Sequence, residues 1–485
     1  MTAFFYLAAQ TSMVSNPRIL SAQSQDFPLL PQAEDGAIPA GSASQIAADW
    51  ELLVQRVQQH LGHLEEQLQT SGIRPARTEL ETLSQWAIAV LCEGDFQDRW
   101  DMAKLFPRLE ALAAEPAESV KQLLLDPLLA LLQDEEEDPD TRWFVARILG
   151  EFRQPAVLTA LVHLLQTAPT EDLQQIAAAA LAGFGKAAIA PLAQLLQVPH
   201  TRLLAVKTLS QIQDPGVVQP LMKLLRDPDP QVRAAALSAI GSARDRHIPD
   251  LLIAALGDSS AAVRQVAVTE LGFRADLLSD YDLVSLIYPL LLDASAGVAQ
   301  QAAIALGRLG TNPAATALYR VAHLSHTTHP QRMALVQALG WMGTPTALHH
   351  LHRLALQWSE EAPSAPLLHA TIQAMGRVEV PELRWQAARY LVELLELLHG
   401  NLPAVQTAAV KQAIALQLGK LGDLDALDAL VHLATEPDLG VKLHAIAALK
   451  QLHPDQGRQQ LEALSNNHQV SEQTRQEVAI ALAEW

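Results

Sequence analysis

One pattern recurs along most of this 485-residue chain and restricts its fold more than any other feature. The segment DPDPQVRAAALSAIG at 227–241 is followed by DSSAAVRQVAVTELG at 258–272 and by DASAGVAQQAAIALG at 293–307. Successive copies start 31 and 35 residues apart. Self-similarity with a period of about 20–50 residues is typical of repeat architectures, in which each copy is one small supersecondary unit.

Eleven copies align on an anchor, the apolar residue just before the last residue of each segment. Three residues before the anchor the side chain is apolar in every copy, and the residue after it is small in ten of the eleven. Apolar residues at the anchor and at three, four and about eight positions before it lie on one face of a helix. A small residue after the anchor permits a close backbone approach or a helix-ending turn. The anchors are Leu149, Leu181, Leu209, Ile240, Leu271, Leu306, Leu339, Met375, Leu418, Leu449 and Leu482.

An aliphatic run precedes each of these helices, as in VVQPLMKLLRD at 217–227 and AIAPLAQLLQ at 188–197. The proline in such runs is expected in the first helical turn, where no hydrogen bond is lost. Each copy is therefore predicted to be a helical hairpin, which must stack on its neighbours to bury its apolar stripe. The string LLRDPDPQVRAAALSAIG resembles HEAT repeats, and the short unit is similar to the phycobilisome-lyase-like subclass. The resemblance implies an all-α, right-handed α-solenoid of about eleven hairpins.

The rest of the chain departs from this pattern in three places. Residues 1–44 are rich in Ser, Ala, Gln and Pro and are predicted to be a flexible tail. Residues 45–124 have helical spacing but fit the columns poorly, so we expect an N-terminal helical cap of about four helices before the solenoid at 125–485. Around 356–403 the spacing widens, which predicts an insertion with a long loop at 357–366 and a long helix at 381–400. Insertions in solenoids often carry binding function, which makes Trp358 and Trp385 candidate partner-binding residues.

Charge and cysteine content narrow the function classes. The chain has 34 basic and 53 acidic residues, a net charge of −19, and no cluster of Lys and Arg, so we expect no nucleic-acid partner. No run of apolar residues reaches the length of a membrane span, so no membrane insertion is expected. Cys92 is the single cysteine, which excludes an intrachain disulfide. A reducing compartment, and hence the cytoplasm, is the expected location.

Charged residues recur in register with the anchors. Asp227, Asp258 and Asp293 lie thirteen residues before their anchors. A basic residue lies seven before the anchor in eight copies, four of which are Arg202, Arg233, Arg264 and Arg332. The HEAT resemblance implies a ladder of hydrogen-bonded ion pairs between adjacent inter-helix loops. Because an arginine fork can satisfy both loop carbonyls and carboxylates, we expect a structural ladder rather than a catalytic site.

Catalytic and metal-binding patterns are weak in this sequence. Histidines cluster at 323–329 and 349–352, but no Cys or acidic partners accompany them at ligand spacing, so loop packing or solvation is the expected role. No phosphate-binding loop, nucleophile elbow or HExxH motif occurs. The sequence therefore predicts neither catalytic residues nor a cofactor.

A binding surface is predicted on the second helix of each hairpin, where residues six and two before the anchor should be exposed. This face is rich in Gln and poor in charge, which suits a protein partner. The function predicted is that of a non-catalytic scaffold, adaptor or assembly chaperone. The sequence does not predict its oligomeric state. The alternative, implied by the resemblance, is a phycobilin lyase that handles a linear tetrapyrrole; a metal-dependent enzyme ranks third. Besides the two tryptophans of the insertion, the candidate partner-binding residues are Trp143, Gln175, Gln265, Gln300, His369 and Gln373.

Overall fold

A computed structural model of the protein describes residues 50–113, 121–360, 365–397, 408–467 and 471–485. Regular structure in these ranges is entirely helical. The chain divides into two compact units, Met1–Leu192 and Ala193–Trp485. The predicted tail at 1–44 lies outside the described residues.

The first unit begins with four helices in the segment predicted to be a cap. They are Trp50–Ser71, Arg77–Glu93, Phe96–Ala103 and Phe106–Ala113. Their apolar faces meet in a core that includes the fully buried Leu61, Leu83 and Phe106. The segment predicted as a cap is thus largely helical between Trp50 and Ala113.

Hairpins follow, and we number them as repeats 1 to 11 by their anchors. Repeats 1 and 2 lie in the first unit, repeats 4 to 11 lie in the second, and the boundary falls within the first helix of repeat 3. The first helices are Asp126–Gln133, Pro155–Thr167, Lys186–Leu195, Val218–Met222, Ile248–Ala255, Leu283–Ile287, Asn312–His323, Pro345–Glu360, Pro381–Leu397, Leu427–Ala434 and Pro454–Ser465. The second helices are Pro139–Leu149, Glu171–Gly183, Pro199–Leu209, Pro230–Gly241, Ala261–Gly272, Ala296–Leu309, His329–Trp341, Ala365–Met375, Ala408–Leu421, Leu439–Leu452 and Glu472–Ala483.

Local sequence sets where these helices begin. Asp229 is the N-cap of the second helix of repeat 4, and its carboxylate accepts a hydrogen bond from the backbone N–H of Gln231. Pro230 occupies the first turn, where its missing N–H costs nothing. The stripe that follows is buried as predicted, because ten of the eleven anchors are at most 1% exposed.

The small residue after the anchor permits close packing between second helices of successive repeats. A Cβ built on Gly340 would lie 2.9 Å from the Cβ of Ala374 in the next repeat, and one on Gly419 would lie 2.9 Å from Ala448. Real Cβ atoms do not approach so closely, so glycine is required at these positions by contact with the neighbour. This is the close approach that the column of small residues predicted.

Two local expectations are wrong. Pro191 lies in the middle of helix Lys186–Leu195 rather than in its first turn. In repeat 4, by contrast, Pro220 is the third residue of helix Val218–Met222, in its first turn, and a 3-10 helix follows at Lys223–Arg226. The predicted long loop at 357–366 is largely helical, because the first helix of repeat 8 continues to Glu360. The remaining positions, 361–364, lie outside the described residues.

The last hairpin deviates from the column pattern by one residue. Val478 and Ala481 are fully buried, whereas Ala479 is exposed and the anchor Leu482 is only half-buried. The described contacts of this helix are with repeat 10 and with helix Pro454–Ser465. Burial therefore follows one side of the helix, and Ile480 is 45% exposed on the other.

Candidate functional site

Ion pairs join adjacent loops in the second unit at the positions the sequence singled out. The guanidinium of Arg202 lies 2.5 Å from a carboxylate oxygen of Asp227. Arg233 donates two hydrogen bonds to Asp258, at 3.0 and 2.8 Å. Arg264 makes the same two-pronged contact with Asp293, at 2.8 and 2.7 Å. The predicted contacts are thus present in three consecutive interfaces.

The arginine and the aspartate of each ion pair also make hydrogen bonds to the backbone of their own repeats. Asp258 accepts a hydrogen bond from the backbone N–H of Ser260, and Arg233 donates to the carbonyl of Asp227. The Arg233 guanidinium lowers the pKa of the Asp258 carboxyl, and the Arg264 guanidinium lowers that of Asp293. The carboxylates therefore stay ionised at neutral pH, and the fold itself supplies their hydrogen-bond partners.

Arg332 does not extend this ladder. It donates to the carbonyl of Leu324 at 3.1 Å, and among the described residues no carboxylate lies within ion-pair distance of it. The corresponding acidic position of the next repeat is residue 362, an alanine outside the described ranges. Lysine replaces arginine farther on, where Lys411 pairs with Glu436 at 2.8 Å and Lys442 pairs with Glu477.

The second-helix face carries most of the predicted partner-binding residues. Gln175 is exposed on repeat 2 of the first unit. In the second unit Gln300 is exposed and Gln265 is partly exposed. His369 and Gln373, on repeat 8, contact each other at 2.8 Å and are half-buried. These residues therefore occupy the columns six and two before the anchor in repeats 2, 5, 6 and 8.

The two tryptophans of the predicted insertion lie in different environments. Trp358 is fully buried, so its candidacy as a surface residue is wrong; it continues the apolar face of a helix longer than expected. Trp385 is 47% exposed, with the guanidinium of Arg389 5.5 Å from its ring centre. It lines a surface hollow of about 480 Å³ on the first helix of repeat 9, not on the second-helix face.

Trp143 belongs to an aromatic cluster of the first unit. Its ring is stacked on Trp100 with centres 6.5 Å apart, and Trp100 is stacked in turn on Phe96. The guanidinium of Arg147 lies 4.5 Å from the Trp100 ring centre. Phe96 is 65% exposed, so the cluster presents an aromatic and basic surface of the composition common in binding hot spots.

A row of exposed residues that sequence reasoning missed follows the second helices of repeats 5 to 9. Each member lies two positions after its anchor, and none is acidic. We call this set the aromatic–basic row: Phe273, Arg308, Trp341, Arg377 and Lys420. The signal was present in the sequence, because the same column alignment that gave the anchors also aligns these five.

Neighbouring members of the row touch or share a hollow. The guanidinium of Arg308 lies 4.1 Å from the ring centre of Phe273. Arg308 and Trp341 line one hollow of about 450 Å³. Trp341 and Arg377 line a second pocket of about 70 Å³, together with Gln337 and Gln373. Trp341 is 54% exposed between the two, so a large apolar side chain stands at the centre of the row.

Apolar side chains continue the second-helix face in repeats 9 to 11. Leu416 and Leu443 are each 42% exposed, and Ile480 is 45% exposed. Leu416 and Ile480 lie two residues before their anchors and Leu443 lies six before, in the columns predicted to be exposed. Glutamine also persists in these columns at Gln412 and Gln476, so this end of the predicted Gln-rich face carries additional exposed apolar side chains.

Four of the clustered histidines, His323, His349, His350 and His352, lie on first helices beside two tyrosines. The Tyr319 and His350 rings are parallel with centres 4.4 Å apart, and the His352 and Tyr390 rings are 4.0 Å apart. His323 and His349 extend this histidine–tyrosine stack on either side. Burial lowers the pKa of His350 and of His352, which keeps both rings neutral at pH 7.

The other titratable groups include candidate metal ligands and a candidate nucleophile. Within the ranges that the structure describes, no group of three or more His, Cys, Asp or Glu side chains is arranged to hold a metal ion. Burial raises the pKa of the Cys92 thiol to about 11, so the reactive thiolate is scarce at neutral pH. None of the described helices has both the length and the apolar character needed to cross a bilayer.

Comparison with known proteins supports this architecture. A family model of HEAT repeats matches residues 106–182, 168–241, 248–330 and 394–483, which is more than half of the chain. The first match begins inside the segment predicted as a cap. No protein of curated function matches the sequence.

Two solved structures share the fold. Kap95p, solved with RanGDP, is 14% identical with a TM-score of 0.53, covering 90% of this chain and 66% of that chain. The Kap95:Nup1 complex is also 14% identical with a TM-score of 0.53, covering 90% and 67%. This chain thus spans about two thirds of Kap95p, and likeness at such identity establishes the all-α solenoid alone.

The complex of CpcE and CpcF of phycocyanin lyase from Nostoc sp. PCC7120 is 21% identical, covering 55% of this chain and 94% of that chain. Its TM-score of 0.28 is too low to carry an argument about function.

Proposed function

The chain belongs to the HEAT-repeat family, and from that premise we propose that it is a non-catalytic scaffold, adaptor or assembly chaperone that binds a protein partner on the second-helix face of its second unit. The observation that carries the proposal is Trp341. This indole is 54% exposed and lies between two hollows. Arg308 lines one of these hollows and Arg377 lines the other. Exposed Trp and Arg beside a pocket are the residues that dominate binding energy in protein interfaces.

The surroundings of Trp341 support a protein partner over a small molecule. The hollow beside Arg308 includes Gly307 in its lining, and the smaller pocket beside Arg377 is lined by Gln337, Gln373 and Gly340. Amide side chains around an apolar centre match the polar rim and apolar core of protein interfaces. The two hollows flank one side chain, so a partner can contact both while it covers the indole.

Native co-purification tests this proposal. The full-length chain carrying an affinity tag is expressed in its own cells, and bound proteins are identified by mass spectrometry. We expect Trp341→Ala to lose partners that the unchanged chain retains, and Trp385→Ala, a matched change on a first helix, to retain them. Retention of every partner by Trp341→Ala would place the interface elsewhere, and a chain that purifies alone would contradict the scaffold function.

The remaining expectations belong to the same proposal. We expect the protein to act in the cytoplasm and to need no cofactor. The alternative of a phycobilin lyase stays a prediction of the repeat type: co-expression with bilin synthesis would give a coloured adduct on a phycobiliprotein, and its absence would remove this alternative.

A further inference from the structure

We propose that the aromatic–basic row is the docking surface for an acidic, extended peptide segment of the partner, in which acidic residues alternate with an apolar residue. This inference rests on the proposed function and adds the chemistry of the partner. It starts from three cations, Arg308, Arg377 and Lys420, which stand in a row on a chain whose net charge is −19.

None of the three cations forms an ion pair with a described residue. The described rungs of the ladder pair their Arg or Lys with a carboxylate of the next repeat, and Arg274, outside the ladder, pairs locally with Asp276. For Arg308, Arg377 and Lys420, by contrast, no carboxylate of the described residues lies within 4.0 Å. Arg308 instead lies against the Phe273 ring, which orients its guanidinium without neutralising it. The row therefore offers positive charge to a ligand.

Trp341 lies between Arg308 and Arg377 in this order, which gives the row an alternating pattern. A carboxylate is the natural partner of each guanidinium, because the arginine fork binds its two oxygens at once. An apolar side chain is the natural partner of the hollow beside the indole. A ligand complementary to all three must therefore be acidic, apolar and acidic in sequence.

Helix spacing fixes the approximate distances in such a ligand. Packed helices lie about 8–10 Å apart, and an extended peptide advances about 3.3 Å per residue. One repeat then corresponds to about three residues of peptide. We expect an acidic residue opposite Arg308, an apolar one about three positions on, and a second acidic residue about three positions farther, with a third opposite Lys420.

A single-stranded nucleic acid also combines negative charge with flat rings, but the row suits it less well. Proteins that bind single strands line a groove with many cations, and their affinity comes largely from phosphate contacts. This row supplies one cation in each of three repeats, and the excess of 19 negative charges in the chain opposes a polyanion. A short acidic peptide needs no more cations than the row provides.

Selection from a random 12-residue peptide library displayed on phage tests the proposal, with the full-length chain as bait. The row variant Arg308→Glu/Trp341→Ala/Arg377→Glu is compared with the first-helix variant Trp385→Ala/Arg389→Glu. We expect enriched peptides to carry Asp or Glu about six positions apart with an apolar residue between them. Measured by fluorescence anisotropy, their affinity should fall about tenfold or more in the row variant and stay unchanged in the first-helix variant.

Three results would overturn the proposal: no enrichment on the unchanged chain, enrichment of neutral or basic peptides, or equal binding by the row variant. Arg308→Lys/Arg377→Lys keeps the charge but loses the two-oxygen contact, so its affinity should lie between those of the unchanged chain and the row variant. A labelled 20-nucleotide oligo(U) is the second probe. Binding of oligo(U) that depends on the row, without peptide enrichment, would assign it to nucleic acid instead.

The outcome for the scaffold function remains separate. If Trp341→Ala releases the natural partners but Arg308→Glu/Arg377→Glu retains them, the protein-binding face stands and the acidic class of partner falls. If neither variant releases them, the partners bind a different surface, and the proposed function is wrong about the second-helix face.

Discussion

Gly272 and Ala305, in successive repeats, are in backbone contact. A Cβ on Gly272 would lie 2.8 Å from both the Cα and the Cβ of Ala305. Because the obstacle includes main chain, no side-chain rotation relieves it. Glycine after the anchor thus sets the distance between two second helices.

Gly272→Ala is expected to destabilise the protein, although alanine is the better helix former. Overpacking of this kind costs about 1–3 kcal/mol, which exceeds the gain in helix propensity of about 1 kcal/mol. Urea unfolding measures the difference. Gly62→Ala is the matched control, because nothing lies within 4 Å of a Cβ at that helical position, and it should raise stability. A stabilising Gly272→Ala would show that the two helices are free to move apart.

Arg233→Ala is expected to lower the melting temperature by a few degrees. It removes two hydrogen bonds to Asp258 and leaves the carbonyl of Asp227 without its donor. Differential scanning fluorimetry compares it with Arg320→Ala, an exposed arginine of a first helix, which should melt like the unchanged chain. Equal melting of both variants would mean that the ladder contributes nothing measurable to stability.

The histidine–tyrosine stack predicts a loss of stability as the pH falls. Burial lowers the pKa of His350 and His352 below the ordinary value of 6.5, and His349 adds repulsion, while Glu393 opposes the shift at His352. A lowered pKa in the folded state means that the unfolded chain binds protons first. Stability is therefore fully present above about pH 6.5 and declines below it.

Melting temperatures between pH 7.5 and pH 5.5 test this expectation. His350→Phe/His352→Phe keeps two rings for stacking on Tyr319 and Tyr390 but removes both titrations. The double variant should show a flatter pH dependence than the unchanged chain. Identical slopes would mean that these two rings do not set the acid response.

Trp358 and Trp385 should respond oppositely to truncation. Trp358→Ala empties a fully buried site and is expected to cost about 3–5 kcal/mol in the free energy of unfolding. Trp358→Phe should cost much less, because the buried indole N–H has no hydrogen-bond partner among the described residues. Trp385→Ala, at a 47% exposed position, should stay within about 0.5 kcal/mol. A mild Trp358→Ala would indicate that the end of helix Pro345–Glu360 is not part of the core.

The sequence was sufficient for the hairpins because they depend on residues at fixed offsets within one copy. The ladder joins neighbouring copies, and it was expected because its Arg and Asp columns recur in register and the HEAT resemblance implies their pairing. The stripe that ends at Ile240 follows the helical period, and Asp229 with Pro230 marks a helix start by local chemistry. Trp358 was misplaced because the polar string that follows it resembles a loop, while the helix in fact continues to Glu360.

The aromatic–basic row was not predicted because its meaning depends on stacking between copies. Arg308 and Phe273 are 35 residues apart, and only the offset between adjacent hairpins brings the guanidinium over the ring. The same holds for Trp341, whose pocket is completed by Arg377 of the next repeat. Column alignment shows which residues are equivalent, but not which of them touch.

Site-specific photo-crosslinking tests the central claim, that a protein partner binds the second-helix face, most directly. A photoreactive amino acid replaces Gln337 on the second helix of repeat 7, or Arg320 on the first helix of the same repeat; both positions are exposed. After irradiation in the protein's own cells, we predict a discrete crosslinked partner from position 337 and none from position 320. A partner captured only from position 320, or none from either, would contradict the account.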